Sequence, residues 1–236
     1  MCGIVGYIGP RDATPIILNG LKRLEYRGYD SAGVAVINDN QIDVRRDAGK
    51  LSQLVDLVSR SPLNGAPGIG HTRWATHGAP SARNAHPHVS NTGKMVVVHN
   101  GIVENFLELK DELSSEGAVF NSDTDTETIV HLAEYHKSSG ISFEEAARRT
   151  FQQIEGANVV LLMCTEEPDK IIAARIGNAG GVVLGLREDE NYLASDIPAI
   201  LEHTRKVIFL ESRQMAVVTR DGIRVESLDG GELTPE

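Results

Sequence analysis

The chain has 236 residues, of which 41% are hydrophobic, with 23 Lys plus Arg against 33 Asp plus Glu and a net charge of -10. At this length roughly 70–75% of the unfolded surface is buried on folding, enough for one domain with a full core, which excludes disordered chains and small stapled folds. The acidic balance disfavours nucleic acid and anionic membrane surfaces as partners. Two cysteines, Cys2 and Cys164, with no C-x-x-C pair, make no disulfide framework. The first ten residues lack a basic region and a signal-length apolar run, and no later stretch approaches 18 consecutive apolar residues. The expectation is a soluble cytoplasmic protein.

In chain order, Gly3 to Ile8 reads as a short buried strand, and Ile17, Leu21 and Leu24 have helical spacing. Gly33 to Ile37 and Ile42 to Arg46 flank the turn-rich Asn38-Asp39-Asn40 and read as a hairpin. Helical spacing returns at Phe106, Leu109 and Leu113, at Ile129, Leu132 and Ala133, and at Phe143, Ala147, Phe151 and Ile154. Ser142 and Glu145 stand in capping-box register before the last of these. After Gly156 come short strands: Val159 to Cys164, Ile171 to Arg175, Val182 to Leu186, Tyr192 to Ala194, Val207 to Leu210, Ala216 to Thr219 and Ile223 to Val225. Consecutive helices followed by consecutive hairpins predict an α+β fold with antiparallel sheets rather than a doubly wound repeat. Residues 1–228 are expected to form the domain, and 229–236 to begin a linker.

Between Asp56 and Glu104 there is no carboxylate, yet Arg60, Arg73, Arg83 and Lys94 lie there with His71, His77, His86, His88 and His99. This imbalance points either to an anion site or to a solvated loop. His86-Pro87-His88 could offer two imidazoles to a metal, but Pro87 biases His86 toward extended backbone and no nearby Asp, Glu or Cys completes a ligand set.

Cys2 follows the initiator Met1, whose removal is expected before so small a residue. The new N-terminus would carry a thiol beside a free α-amine, and with pKa values of about 8.5 and 7.7–8.0 the amine can act as base for its own side chain. The alternative is a small buried cysteine opening a strand, the reading kept for Cys164 within Val-Leu-Leu-Met-Cys. Thiolate attack on a carbonyl needs donors for the oxyanion. Asn100-Gly101 could supply a carboxamide and an unhindered N–H, or form a hairpin turn. Ser122 to Glu127 reads as a helix start with Thr124 and Glu127 in box register, and it lacks the glycine and distal Glu of a calcium loop.

Taken together, Cys2-Gly3-Ile4-Val5-Gly6, Tyr26 to Gly33 (YRGYDSAG), His71 to Gly78 (HTRWATHG), Asn84 to His88 (NAHPH), His99-Asn100-Gly101 and Ser122 to Glu127 (SDTDTE) resemble the glutaminase domain of the class II glutamine amidotransferases. The YRGYD and TRWATHG segments favour the glucosamine-6-phosphate synthase type over the phosphoribosyl-pyrophosphate type. The resemblance implies a four-layer αββα sandwich of the N-terminal nucleophile hydrolase kind. It also implies roles: Cys2 attacks the γ-amide of L-glutamine, its α-amine relays the proton, and Asn100 with the Gly101 N–H binds the oxyanion. Arg73 would hold the substrate carboxylate and Asp125 its ammonium, with hydrogen bonds from Thr76 and His77. Trp74 would close over the site, and Arg27 would support the Cys2 terminus. No metal or organic cofactor is implied.

The implied activity is hydrolysis of glutamine to glutamate and ammonia, the ammonia serving glucosamine 6-phosphate synthesis from fructose 6-phosphate by sugar-phosphate isomerase domains absent from this sequence. The full-length enzyme is expected to be a homodimer. Alternatives are the glutaminase domain of another class II enzyme, or a module that binds glutamine without turnover. One departure from the family pattern stands out: Asn178-Ala179-Gly180-Gly181 occupies a place where a Ser-Pro-Leu type segment is expected, and it is expected to lie away from the site.

Overall fold

The computed structural model describes residues 2–234, so Met1, with its expected removal, and Pro235 and Glu236 of the expected linker lie outside the described residues. The first half of the chain runs β1 (Gly3–Ile8), α1 (Ala13–Arg23), β2 (Ser31–Asn38), β3 (Gln41–Ala48), α2 (Leu51–Arg60), β4 (Gly68–Arg73), β5 (His88–Val89) and β6 (Met95–Gly101). Three helices follow, α3 (Phe106–Ser115), α4 (Thr126–Ser138) and α5 (Phe143–Gln153). The remainder is β7 (Asn158–Cys164), β8 (Lys170–Ile176), β9 (Val183–Arg187), β10 (Glu190–Ala194), β11 (Val207–Phe209), β12 (Gln214–Thr219), β13 (Ile223–Ser227) and β14 (Glu232–Leu233).

The strands form two seven-stranded sheets, ordered β11-β9-β10-β1-β4-β2-β3 and β14-β13-β12-β8-β7-β6-β5. Their pairings are antiparallel, as the short connections predict. Side chains alternate between the two faces of a strand, and three apolar clusters follow from that alternation. Val5 and Tyr7 of β1 meet Ile17 and Leu21 of α1 and Leu54 of α2. Ile4 and Ile8 on the other face of β1 meet Val96, Val98, Leu161 and Met163 of the second sheet. Val97, Val160 and Leu162 on that sheet's far face meet Leu109 of α3, Ile129 of α4 and Phe151 of α5. Helix, sheet, sheet and helix therefore stack as the αββα sandwich.

Most of the expected elements appear where periodicity places them. The hairpin turns at Asp39 and Asn40, both with positive φ, while Asn38 pairs with Gln41 inside the ladder. Ser142 caps α5 by accepting from the Glu145 N–H at 3.2 Å. Four elements were not expected: α2, β4, β5 and β14. In β4, Gly-Ile-Gly-His-Thr-Arg, Ile69 is the one large aliphatic residue, because Ala13 and Ile17 of α1 pack directly against the backbone at Gly68 and Gly70. Within the stretch 229–236, Glu232 and Leu233 pair with Glu226 and Val225 as β14.

Two local expectations are corrected. Asn100-Gly101 is not a hairpin turn, since β6 continues through it and pairs Gly101 with Asn158 of β7. Glu127 does not box Thr124. Its carboxylate reaches further back, accepting from the Asn121 N–H at 2.8 Å, the Ser122 N–H at 2.6 Å and the Ser122 hydroxyl at 2.7 Å. Those donors exist because residues 121–122 curl over the helix start, which spacing along the chain does not reveal. Among the described residues, no helix is long and apolar enough to cross a membrane.

Candidate active site

The alternation that builds the inner core also collects the site. Ile4 and Ile8 of β1 face the second sheet, so Cys2, two residues before Ile4, lies on the same side. Ile69 faces inward from β4, and His71 and Arg73 continue its row. Val96 and Val98 face inward from β6, and Asn100 continues theirs. These rows end together at one edge of the sandwich, around a cavity of about 360 Å³ lined by Cys2, Arg73, Asn100, Gly101 and Asp125 among others.

Cys2 is half-buried, and its Sγ accepts a hydrogen bond from the Trp74 N–H at 3.1 Å. Burial pushes the thiol pKa up, against the Trp74 N–H and the nearby Arg73 charge, which pull it down. The thiol is thus the resting form at neutral pH, and attack requires a base. Arg27 holds the same residue from behind: its Nη1 donates to the Cys2 carbonyl at 3.2 Å and to Ser195 Oγ at 3.1 Å, and its Nη2 pairs with Asp196 at 2.9 Å.

Asn100 turns its carboxamide nitrogen toward Cys2, donating to the Cys2 carbonyl at 3.3 Å, while Oδ1 lies 2.9 Å from His71 Nε2. The neighbouring Gly101 has φ +131, and any Cβ there would collide with the Ala157 carbonyl, so only glycine keeps the strand in place beside the cavity.

Arg73 is 97% buried, with relative exposure of 3%. Its Nη2 donates to the carbonyls of His77 and Gly78, whereas Nη1 has no hydrogen-bond partner among the described residues. An unpartnered buried guanidinium nitrogen beside a cavity costs free energy until an acceptor arrives. Burial lowers the Arg73 pKa, with Asp30, Cys2 and Asp125 opposing that shift. Across the cavity Asp125 precedes α4 without capping it. Its Oδ2 accepts from the Val103 N–H at 2.8 Å and its Oδ1 lies 3.9 Å from His77 Nδ1. A free cationic donor, a carboxylate, a thiol and an amide N–H thus converge on one space, as a zwitterionic amide would require.

The other expected site residues divide. Thr76 and Trp74 line the cavity, with Trp74 more than half exposed and its ring lying over Gly28. The His77 ring is not part of the lining. It packs edge-on to Phe106 at 5.2 Å, and His77 meets Arg73 through its carbonyl. The carboxylate-free stretch does not act as one anion site. Arg83 pairs with Asp123 at 2.7 Å and Lys94 with Glu166 at 2.6 Å on the exterior, leaving Arg73 as its representative at the cavity. Burial lowers the pKa of His71 and His88 to about 3 each and that of His86 well below its ordinary value, so these rings are neutral and stack or hydrogen-bond in the interior. Among the described residues no group of three or more His, Cys, Asp and Glu could hold a metal ion.

These features accord with the sequence comparisons. Residues 71–202 match the glutamine amidotransferase domain model. The chain belongs to the glutamine amidotransferase domain family. It is 50% identical over 99% of its length to the glutamine-fructose-6-phosphate aminotransferase (isomerizing) of Thermococcus kodakarensis, and 49% identical over all of it to that of Thermus thermophilus. In both cases the chain spans 38% of the relative's length. The solved glutamine phosphoribosylpyrophosphate amidotransferase from B. subtilis matches 96% of this chain and 49% of its own at a TM-score of 0.82, and with 24% identity it speaks to the fold alone.

For this amidotransferase domain one expectation about the site is overturned. The Asn178-Ala179-Gly180-Gly181 segment does not lie away from it, since Ala179 and Gly180 line the cavity. The segment reaches the site across the sandwich, between β8 and β9, where neither periodicity nor proximity in sequence gives a signal. Ile102, Glu104, Thr126 and Ala157 also line the cavity unanticipated. For Ile102 and Thr126, adjacency to Gly101 and Asp125 was the available clue.

Proposed function

We propose that this domain hydrolyses the γ-amide of L-glutamine to glutamate and ammonia. The observation that carries the reading is the convergence of the Cys2 thiol with the unpartnered Arg73 Nη1 and the Asp125 carboxylate on one cavity. Charges of both signs match the α-carboxylate and α-ammonium of an amino acid, and the thiol then faces its side chain.

In the proposed reaction Cys2 Sγ attacks the amide carbon while its proton passes through the α-amine to the departing nitrogen, releasing ammonia and leaving a γ-glutamyl thioester. Water then cleaves the thioester, returning the thiol and yielding glutamate. Asn100 Nδ2 and the Gly101 N–H stabilise the negative oxygen at both stages. Arg73 and Thr76 hold the carboxylate end, with the His77 carbonyl steadying the Arg73 guanidinium; Asp125 holds the ammonium end, and Trp74 covers the opening so that water is limited and ammonia is retained. Arg27 keeps the Cys2 backbone in place through its carbonyl. The relatives' names support fructose 6-phosphate as acceptor, aminated by an isomerase half that this sequence does not include.

Intact-mass spectrometry after treatment with a glutamine-like electrophile tests the reading. One adduct at Cys2, on a chain lacking Met1 and blocked by excess glutamine, is expected alongside ammonia release from glutamine. A retained Met1 in a chain that still turns over would sink the α-amine as base, and an adduct insensitive to glutamine would sink the binding assignment.

A further inference from the structure

We propose that His71 is the positioning residue of the oxyanion site: protonated at Nε2, it holds the Asn100 carboxamide with its nitrogen, and not its oxygen, toward Cys2. The kinetic part of this inference rests on the glutaminase reading, whereas the tautomer it requires does not.

A primary carboxamide has two ends of nearly equal shape, so packing does not decide which end faces a cavity; hydrogen bonds do. Only the nitrogen end can stabilise an oxyanion, and the flipped amide would set lone pairs against the developing charge. Asn100 has one partner on each side. The Cys2 carbonyl can only accept, and it takes Nδ2 at 3.3 Å, a long contact on the side that substrate must share. The shorter contact, 2.9 Å, is between Oδ1 and His71 Nε2, and its direction depends on one ring proton. An Nε2–H donates to Oδ1 and fixes the productive orientation. A bare Nε2 would accept from Nδ2 and draw the amide around.

His71 is built to hold that choice. It is fully buried on β4, with Ile4 of β1 opposite on one side and Gly33 of β2 on the other, and it stacks on His86 at 4.2 Å between ring centroids. Burial keeps the ring neutral, so it carries a single proton. The His99 main chain favours the protonated ring, as the Asn100 side chain does, yet no contact of Nδ1 among the described residues has hydrogen-bond geometry. A proton at Nε2 therefore satisfies Nε2, Oδ1 and Nδ2 and leaves one bare lone pair at Nδ1. A proton at Nδ1 would bury an unpartnered N–H, and satisfying Nε2 would then turn Oδ1 against the Cys2 carbonyl, acceptor to acceptor. The interaction crosses between the two sheets, so it also ties β4, which pairs with β1 beside Cys2, to β6, the strand carrying Gly101.

Glutamine and asparagine side chains separate a positioning role from a packing one, because the Gln amide nitrogen overlays imidazole Nε2 and the Asn nitrogen overlays Nδ1. In H71Q, kcat for glutamine hydrolysis is expected to stay within about 10-fold of wild type. In H71N and H71F it is expected to fall about 100-fold, the scale of losing one oxyanion donor, with KM changed less than about threefold. Equal kcat losses in all three variants, or losses carried by KM, would overturn the proposal. Long-range proton–nitrogen correlation spectra of the full chain labelled at histidine, with the His71 ring assigned by its loss in H71Q, should show Nε2 protonated; a proton at Nδ1 overturns the proposal whatever the kinetics. Should the wild-type chain fail to hydrolyse glutamine while Nε2 is protonated, the function reading falls and the placement of Asn100 by His71 stands.

Discussion

The inner face between the two sheets has an apolar body and a polar end, and the two are made by the same strands. In the body, Ile4, Ile69, Val98 and Leu161 are all at most 1% exposed and belong to one apolar cluster. Further along the same rows come His71, Arg73 and Asn100, nearly as deeply placed but polar, and the half-buried Cys2. The body gains stability from any well-packed aliphatic side chain. The end is stable only where each polar atom finds a partner, so an atom without one, such as Arg73 Nη1, marks the place kept for a ligand. Cys2 and Cys164 repeat the contrast for a single residue type: one ends an inner row at the cavity, while the other, on β7, faces the helices in the outer core.

Substitutions at the two regions should separate activity from stability. The largest effect is expected for Cys2→Ala, with kcat for glutamine hydrolysis falling about 10⁴-fold or more, as for other lost nucleophiles, and an unchanged urea midpoint. Retained turnover would dissolve the distinction between Cys2 and the body. Asn100→Ala should lower kcat about 10²–10³-fold, with KM little altered. Leu161→Ala in the body should do the opposite: unfolding free energy falls by about 2–5 kcal/mol in urea titrations, while kcat measured well below the melting temperature is preserved. A kcat loss there as large as that of Asn100→Ala would show that body and end are not separable.

The smallest effect concerns pH. His71 and His88, pulled down to about 3 by burial, are neutral in the folded chain and become protonated near pH 6.5 once unfolded. The unfolded state then binds more protons, so stability is full above about pH 6.5 and declines as pH falls toward 3, by up to about 1.4 kcal/mol per pH unit for each ring. Burial raises the Glu127 pKa, but hydrogen bonds from His131, Asn121 and Ser122 bring it down to about 2, so its contribution is present above its ordinary value of 4.5 and is lost between there and 2, with the same sign. His88→Gln should reduce the slope of unfolding free energy between pH 6 and 4.5 by about one proton's worth. An unchanged slope would mean that His88 titrates alike in both states.

Much of the site was legible because its residues sit in short, unusual local contexts. Cys2 follows directly after Met1, Asn100-Gly101 ends a run of valines, and Arg73 lies in a stretch without carboxylates. Helices and hairpins were legible where apolar residues recur at a fixed interval, as in α5 and in the β2–β3 pair. Legibility ended where a neighbour distant in sequence supplies what a segment lacks. The β4 strand has few apolar side chains because α1 fills the space above its glycines, and Glu127 bonds backward because residues 121 and 122 bend over it.

The sequence alone thus determined most of the elements and the chemical types at the site, because periodicity, turn chemistry and the choice of nucleophile act over a few residues. Tertiary structure alone decided which face of each strand looks inward, which of four cations reaches the cavity, that Ala179 and Gly180 form part of its wall, and which end of the Asn100 amide points at Cys2. Each of these is a question of which atoms meet across two sheets, and a hydrogen bond or a packed contact forms or fails within about half an ångström of its preferred distance.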